Sequence, residues 1–188
     1  MLKNENMFWQ WDKEIPPIIC QAIIKRGLQL EIVDAEVGGN NIENDKGKVD
    51  HSVRNSQVGF FSADTDAWLF HLLWGYMLKA NINAEWNFDI EGQQPPQFTT
   101  YEKDFFYDFH EDDTFHQDGM RKLSITIILS DPAHYDGGEF VFESGGDVIS
   151  KNQGTIIAFP SFIRHRVNSV TKGIRYSLVN WFDGPAFK

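Results

Sequence analysis

From Asn87 onward the chain breaks into short apolar or alternating runs, each closed by a turn signal, with no helical stretch between them. The runs fall at about 86–90, 97–101, 105–111, 122–129, 139–143, 147–149, 155–159, 165–170 and 174–182. Between them stand Glu91–Gly92, Asp131–Pro132, Asp136–Gly137–Gly138, Ser144–Gly145–Gly146, Asn152–Gln153–Gly154 and Lys172–Gly173, residues whose backbone preferences reverse a chain. Parallel neighbours would need about a dozen residues of crossover between strands, and this spacing has no room for them. The pattern predicts an all-β core, an antiparallel sandwich or jelly roll.

The N-terminal part reads differently. Pro16–Pro17 opens a helix in which Ile18, Ile19, Ala22 and Ile23 recur at helical spacing until Gly27 stops the run. Leu28 to Val37 alternates like a strand, residues 38–52 form a polar, glycine-rich surface loop and a candidate substrate lid, and 57–61 is a short strand. Ser62 or Asp64 caps a helix running to about Ala80, with Trp68, Leu72 and Tyr76 on one stripe. Nothing reads as a linker and there is no internal repeat. The expectation is one domain over 1–188, a helix-containing support segment over 1–80 and a jelly-roll core over 81–188.

Six Trp and sixteen Phe give the chain the large apolar groups that disordered sequences lack. The apolar helix candidate is uncharged only from Ala67 to Leu78, short of the ~20 residues a membrane span needs. The first residues, MLKNENMFWQWDKE, do not read as a secretory signal. The single Cys20 has no partner for an internal disulfide, which points to a reducing, cytoplasmic setting. A net charge of −10 argues against a nucleic-acid partner.

Chemistry concentrates in the histidines. His71 lies mid-helix among Phe70, Leu72 and Leu73 and reads as a core or helix-face residue, while His51 and His134 sit in polar loops. His110 and Asp112 are spaced i, i+2 in FFYDFHED, near the end of a strand. That spacing puts both side chains on one face, where an imidazole and a carboxylate converge on one ion. A histidine from another strand would complete a two-histidine, one-carboxylate face with three open positions, the arrangement non-haem ferrous oxygenases use. A second pair, His116 and Asp118, follows six residues later in a polar stretch that suits a loop or substrate channel. His165 opens a strand after a proline-centred turn, and Arg175 comes ten residues later. A hairpin centred on Lys172 would set Arg175 opposite Ser169 and put 165, 167, 169, 175, 177, 179 and 181 on one face. His165 and Arg175 would then share a cavity ~13 Å apart along the strand, a gap an arginine and a short dicarboxylate can span. There is no nucleophile elbow and no phosphate-binding glycine loop.

These residues resemble the iron- and 2-oxoglutarate-dependent dioxygenases of the prolyl 4-hydroxylase type, and in particular the small PKHD-type hydroxylases. In those families a tyrosine stands nine residues before the first metal histidine and an aromatic three before it; here these are Tyr101 and Tyr107 before His110 and Asp112. RKLSITIILSDPAHYDGGEFVFE is similar to the family's strand, turn and Gly-Gly-Glu hairpin, and FPSFIRHRVNSVTKGIRYSLVNWF to its distal histidine and arginine strands. QVGFF, the tryptophan-containing helix and WNFDIEG extend the likeness over about residues 54–183. The resemblance implies a double-stranded β-helix, a metal triad of His110, Asp112 and His165, and Arg175 with Tyr101 holding 2-oxoglutarate. It further implies Fe(II) and dioxygen, with ascorbate as a reductant, and hydroxylation of an unactivated C–H bond as 2-oxoglutarate becomes succinate and carbon dioxide. The implied substrate is a peptidyl proline or a small amino-acid-like molecule. The alternative is a cupin-like metal enzyme or ligand-binding module without oxygenase activity, for which a guanidinium at Arg175 has no use.

Overall fold

Every residue from Lys122 to Ser130 is buried, so this stretch meets protein on both of its faces. A computed structural model shows what covers it. The structure describes residues 7–38, 47–113, 115–116 (backbone alone), 119–145 and 149–187. Most of the loop at 38–52 and of the run at 147–149 therefore lies outside the described residues.

In chain order the elements are β1 (Trp9–Trp11), α1 (Pro17–Gly27), β2 (Val33–Asp34), β3 (Arg54–Asn55), β4 (Gln57–Phe60), α2 (Ala63–Asn83), β5 (Gly92–Gln93) and β6 (Gln97–Tyr101). There follow β7 (Phe106–His110), β8 (Phe115–His116), β9 (Gly119–Ile128), β10 (Tyr135–Gly137), β11 (Phe140–Phe142), β12 (Ile156–Pro160), β13 (His165–Val167), β14 (Val170–Gly173) and β15 (Arg175–Gly184). The larger sheet runs β1-β12-β9-β15-β6-β4-β2, with β5 beside β15 and β8 beside β9. The smaller runs β11-β13-β7-β3, and β10 pairs with β14. The pairings are antiparallel, as the turn spacing predicts.

Period-two alternation divides the larger sheet between two cores. Leu123, Ile125 and Ile127 of β9, Ile156 and Ala158 of β12 and Leu178 and Phe182 of β15 pack with Ile23 and Ile24 of α1 and Leu69, Leu73 and Met77 of α2. The opposite face sends Tyr101, Ile128, Ile157 and Phe159 against Phe140, Phe142 and Val167 of the smaller sheet. Each such side chain contributes ~1.5–3 kcal/mol when fully buried, so the helices clamp one face and leave the other free to build a cavity.

Ser62 caps α2 by accepting the Asp64 amide at 3.3 Å. The buried stripe of α2 lies one position beyond the expected one: Leu69, Leu73 and Met77 face the core, while Trp68 is 46% exposed. Tyr76 keeps its hydroxyl near water and donates to Glu14 at 3.0 Å, whereas Leu and Met carry no polar donor that needs a partner. Gly27 is the last residue of α1 rather than a stop beyond it, and a Cβ there would meet the Phe98 ring at 2.5 Å. Close approach of helix to sheet requires this glycine.

Three strand expectations are corrected. Leu28–Val37 gives only β2 and an isolated bridge from Val37 to Lys48. Residues 86–90 are irregular because the Asn81 side chain takes both backbone groups of Phe88, at 2.9 Å each, leaving them no ladder partner. The 165–170 and 174–182 runs do not form a hairpin: β13 pairs with β7 and β11, whereas β15 pairs with β6 and β9. The chain instead crosses from one sheet to the other through β14, where Gly173, at φ +74°, passes against the His134 carbonyl closely enough to exclude a Cβ. The first sixty residues also contribute strands to both sheets, through β1, β2 and β4 in the larger and β3 in the smaller. No helix among the described residues is long and apolar enough to cross a membrane.

Arg26 joins the two helices, its Nε and Nη2 donating to the two carboxylate oxygens of buried Asp66 at 2.9 and 3.0 Å. Burial opposes the Asp66 charge, but Arg26 and the Thr65 hydroxyl outweigh it and hold the carboxyl below the usual range. Its stabilisation is therefore complete above the unfolded carboxyl pKa of ~3.9 and is lost as the pH falls through the lower folded value. Asp66→Asn is expected to cost about 1.5–3 kcal/mol at neutral pH, the range for hydrogen bonds to a charged group. Urea unfolding at pH 7 and pH 3 checks this: the gap from wild type should narrow in acid, and an unchanged gap would assign the loss to something other than the ion pair.

Candidate active site

The two inner sheet faces enclose a cavity of about 1260 Å³. On the smaller sheet His110, the last residue of β7, lies directly opposite His165, the first of β13. Cross-strand partners stand close enough for their side chains to meet, and the two imidazole centroids are 4.2 Å apart. Asp112 lies beyond the end of β7, where its amide donates to the Ser161 carbonyl at 2.8 Å. That bond folds the chain inward. Asp112 Oδ1 lies 3.6 Å from His110 Nε2 and Oδ2 lies 3.7 Å from His165 Nε2. One donor atom from each of the three falls within 4.8 Å of the others.

The imidazoles are oriented by their own backbone. His110 Nδ1 lies 2.8 Å from the Asp108 carbonyl and His165 Nδ1 2.9 Å from that of Ile163. A carbonyl only accepts, so each Nδ1 carries the proton and each Nε2 turns its lone pair toward Asp112. Burial and the neighbouring His165 pull the His110 pKa down to about 3, which keeps that ring neutral and fit to ligate. Burial disfavours the Asp112 charge, but the charges and donors around it, the Arg121 guanidinium and the Ser124 hydroxyl among them, reverse the balance and hold its carboxyl low. Tyr107 stacks on His110 at 3.5 Å, and Phe140, Phe142 and Phe159 surround His165. Neutral nitrogens plus one carboxylate in an aromatic wall suit a divalent transition metal.

Arg175 opens β15, in register with Tyr101 of β6, and its guanidinium lies 5.3 Å from the Tyr101 ring. The arginine is 1% exposed. Nη1 donates to Ser177 at 3.1 Å, while Nε and Nη2 have no hydrogen-bond partner among the described residues. A buried cation with two idle donors asks for an anion with two acceptors. Gly138, at φ +62°, lies against Arg175, where a Cβ would meet Cδ at 2.8 Å.

Residues 96–183 match the model of the 2OG-Fe(II) oxygenase superfamily. This stretch is similar to a 2OG-Fe(II) oxygenase domain. The domain is similar to a PKHD-type hydroxylase of Psychrobacter sp. (strain PRwf-1), 38% identical over 95 residues, or 46% of this chain and 37% of that protein. It is also similar to one of Synechococcus sp. (strain JA-2-3B'a(2-13)), 40% identical over 87 residues, or 43% of this chain and 39% of that protein. The matches thus span about two fifths of the relatives' length. A Pseudomonas putida prolyl-4-hydroxylase superposes with a TM-score of 0.71 at 21% identity, covering 96% of this chain and 94% of that one. A Trichoplax adhaerens prolyl hydroxylase, in complex with a hypoxia inducible factor oxygen degradation domain peptide fragment, gives 0.73 at 14% identity over 96% and 84%. At these identities the likeness is one of fold: the oxygenase jelly roll that the family resemblance implies, one of the two antiparallel architectures the turn spacing allows.

The structure gathers the predicted residues at one cavity: His110, Asp112, His165, Arg175 and Tyr101 all line it. His165 and Arg175 reach it from different sheets, not from one hairpin face. His116 is described as backbone in β8, and Asp118 lies outside the described residues. His71, His51 and His134 are exposed. Sequence reasoning missed Arg54 and Arg121, which also line the cavity; the available signal was a charged residue inside or against an otherwise apolar strand run.

Replacing His110, Asp112 or His165 by Ala is expected to abolish stoichiometric Fe(II) binding in anaerobic equilibrium dialysis, and His71→Ala, on the exposed face of α2, to leave it intact. Binding retained by all three site variants would place the metal elsewhere.

Proposed function

We propose that the domain is an Fe(II)- and 2-oxoglutarate-dependent hydroxylase acting on a prolyl or other amino-acid side chain. The observation that carries this reading is the pairing, in one cavity, of three convergent metal donors with a buried guanidinium whose Nε and Nη2 are unpartnered. His110, Asp112 and His165 would hold the iron, and Arg175 with Tyr101 the cosubstrate. When bound, iron, 2-oxoglutarate and dioxygen supply the oxidising power that hydroxylates an unactivated C–H bond, with release of succinate and carbon dioxide.

The chain's own contribution is binding and exclusion. Backbone carbonyls fix both imidazole tautomers, so the donor atoms are set before metal arrives. Arg175 offers its fork to a distal carboxylate, a two-pronged contact that lysine cannot reproduce. Phe140, Phe142, Phe159 and Tyr107 keep water from the donor set. The relatives' names support hydroxylation, and the fold likeness to prolyl hydroxylases supports a proline-like substrate. A single buried Cys20 is in keeping with action in the cytoplasm, and ascorbate would serve as reductant.

Titrating the protein anaerobically with Fe(II) and 2-oxoglutarate tests the reading. A weak visible metal-to-ligand charge-transfer band is expected, and its absence at saturation would contradict it. Arg175→Lys should weaken 2-oxoglutarate by roughly 1.5–3 kcal/mol, about ten- to a hundredfold. Fe(II) affinity without cosubstrate should be unchanged; equal midpoints for cosubstrate would remove Arg175 from the proposed role.

A further inference from the structure

Helix α2 is apolar all the way round, and one of its sides is left uncovered. Leu69, Leu73 and Met77 face the core, and Leu72 and Trp74 pack against it from the flanks. Opposite the core run Asp64, Trp68, His71, Gly75, Leu78 and Ile82, spaced alternately four and three residues apart. That spacing lines them up in one row along the helix. Trp68 is 46% exposed, Leu78 45% and Ile82 69%. Single exposed apolar residues are ordinary. A row of them on the side farthest from the core is the pattern of a helix covered on every side.

Gly75 opens a gap in the middle of the row. A Cβ there would find nothing within 4 Å. Glycine is disfavoured inside a helix, and no neighbour in this chain requires it at 75 as Phe98 requires it at Gly27. The gap leaves room for a side chain from outside.

Charges of opposite sign frame the row. Asp64 stands at its N-terminal end and Lys79 beside its C-terminal end, and neither has an ion-pair partner among the described residues. Ala67 to Leu78, between them, carry no formal charge. An antiparallel copy of the same helix brings each Asp64 within a turn of the other's Lys79, whereas a parallel copy sets like charge against like. The face thus complements itself. Elsewhere the net charge of −10 keeps two copies apart.

The area is adequate once α1 shares it. α1 lies antiparallel beside α2, tied by Arg26 to Asp66 at one end and by Glu14 to Tyr76 at the other. Its Ile18, 77% exposed, and exposed Ala22 carry the apolar surface onward. At ~1.5 Å per residue α2 is ~30 Å long and α1 ~16 Å, and at ~10 Å of width each they offer ~450 Å² of projected face. Two copies cover ~900 Å² before side-chain relief is counted, close to the ~1,000 Å² a specific interface needs.

We propose that the outer face of α2, with Ile18 and Ala22 of α1 beside it, joins two copies of this chain in a two-fold symmetric, antiparallel dimer. A dyad near residue 73 sets Trp68 against the partner's Leu78. It also sets His71 against the partner's Gly75, where the missing side chain admits the ring. Such an isologous contact closes at two copies. The metal cavity lies across the larger sheet from these helices, so both cavities stay open.

Sedimentation equilibrium over a wide range of protein concentration tests the association. A reversible monomer–dimer equilibrium in the ~micromolar range is expected for an interface of this size. Trp68→Glu and Leu78→Glu should each weaken it about tenfold or more, with cooperative urea unfolding retained because both side chains are exposed. Cross-linking tests the orientation, since the native Cys20 is buried and unreactive. Asp64→Cys and Ile82→Cys proteins, mixed and treated with a short bismaleimide, should give a covalent heterodimer, and neither should link to itself. Monomer at every concentration, a dimer indifferent to both glutamates, or self-linking of each cysteine variant would overturn the proposal.

Discussion

Burial of one sheet on both faces is the constraint on which the rest of the molecule depends. β9 and β15 cannot relax toward water on either side, so their alternation has to satisfy a helix-facing core and a cavity-facing wall at once. A one-residue slip would exchange Leu123, Ile125 and Ile127 with Lys122, Ser124 and Thr126, setting a lysine against the helices and apolar residues at the site. Register is therefore strongly specified. With it comes the placement of Arg175, Ser177 and Trp181 on the cavity side.

The site itself is a set of unsatisfied groups held in a rigid frame. Two histidines spend their Nδ1 protons on local carbonyls, so their Nε2 atoms are left over, and Arg175 spends one donor on Ser177 and leaves two. The two unpartnered Arg175 donors reduce stability, because each buried polar group without a partner costs ~1–3 kcal/mol. Ligand that fills them returns that free energy as affinity, which links binding to stability by mass action.

Much of this was legible in the sequence, for identifiable reasons. Turn dipeptides fixed the antiparallel class, since Gly and Asp-Pro signals act locally. The i, i+2 spacing of His110 and Asp112 reported a real convergence, although Asp112 reaches it from beyond the strand through its bond to Ser161. The hairpin through Lys172 was misread because spacing reveals parity but not which sheet a strand joins; both inner faces line the same cavity, so the parity argument reached the right neighbours by the wrong route. Arg54 and Arg121 escaped notice because only the fold brings them to the cavity wall.

The central claim is that one cavity holds a metal on His110, Asp112 and His165 and a dicarboxylate on Arg175. Anomalous diffraction from crystals grown anaerobically with Mn(II), as a stand-in for Fe(II), and 2-oxoglutarate addresses it directly. A single strong peak bonded to both Nε2 atoms and the Asp112 carboxylate, with the distal carboxylate of 2-oxoglutarate on Nε and Nη2 of Arg175, is the predicted result. A peak away from these three residues, or a cosubstrate carboxylate bound elsewhere than Arg175, would contradict it.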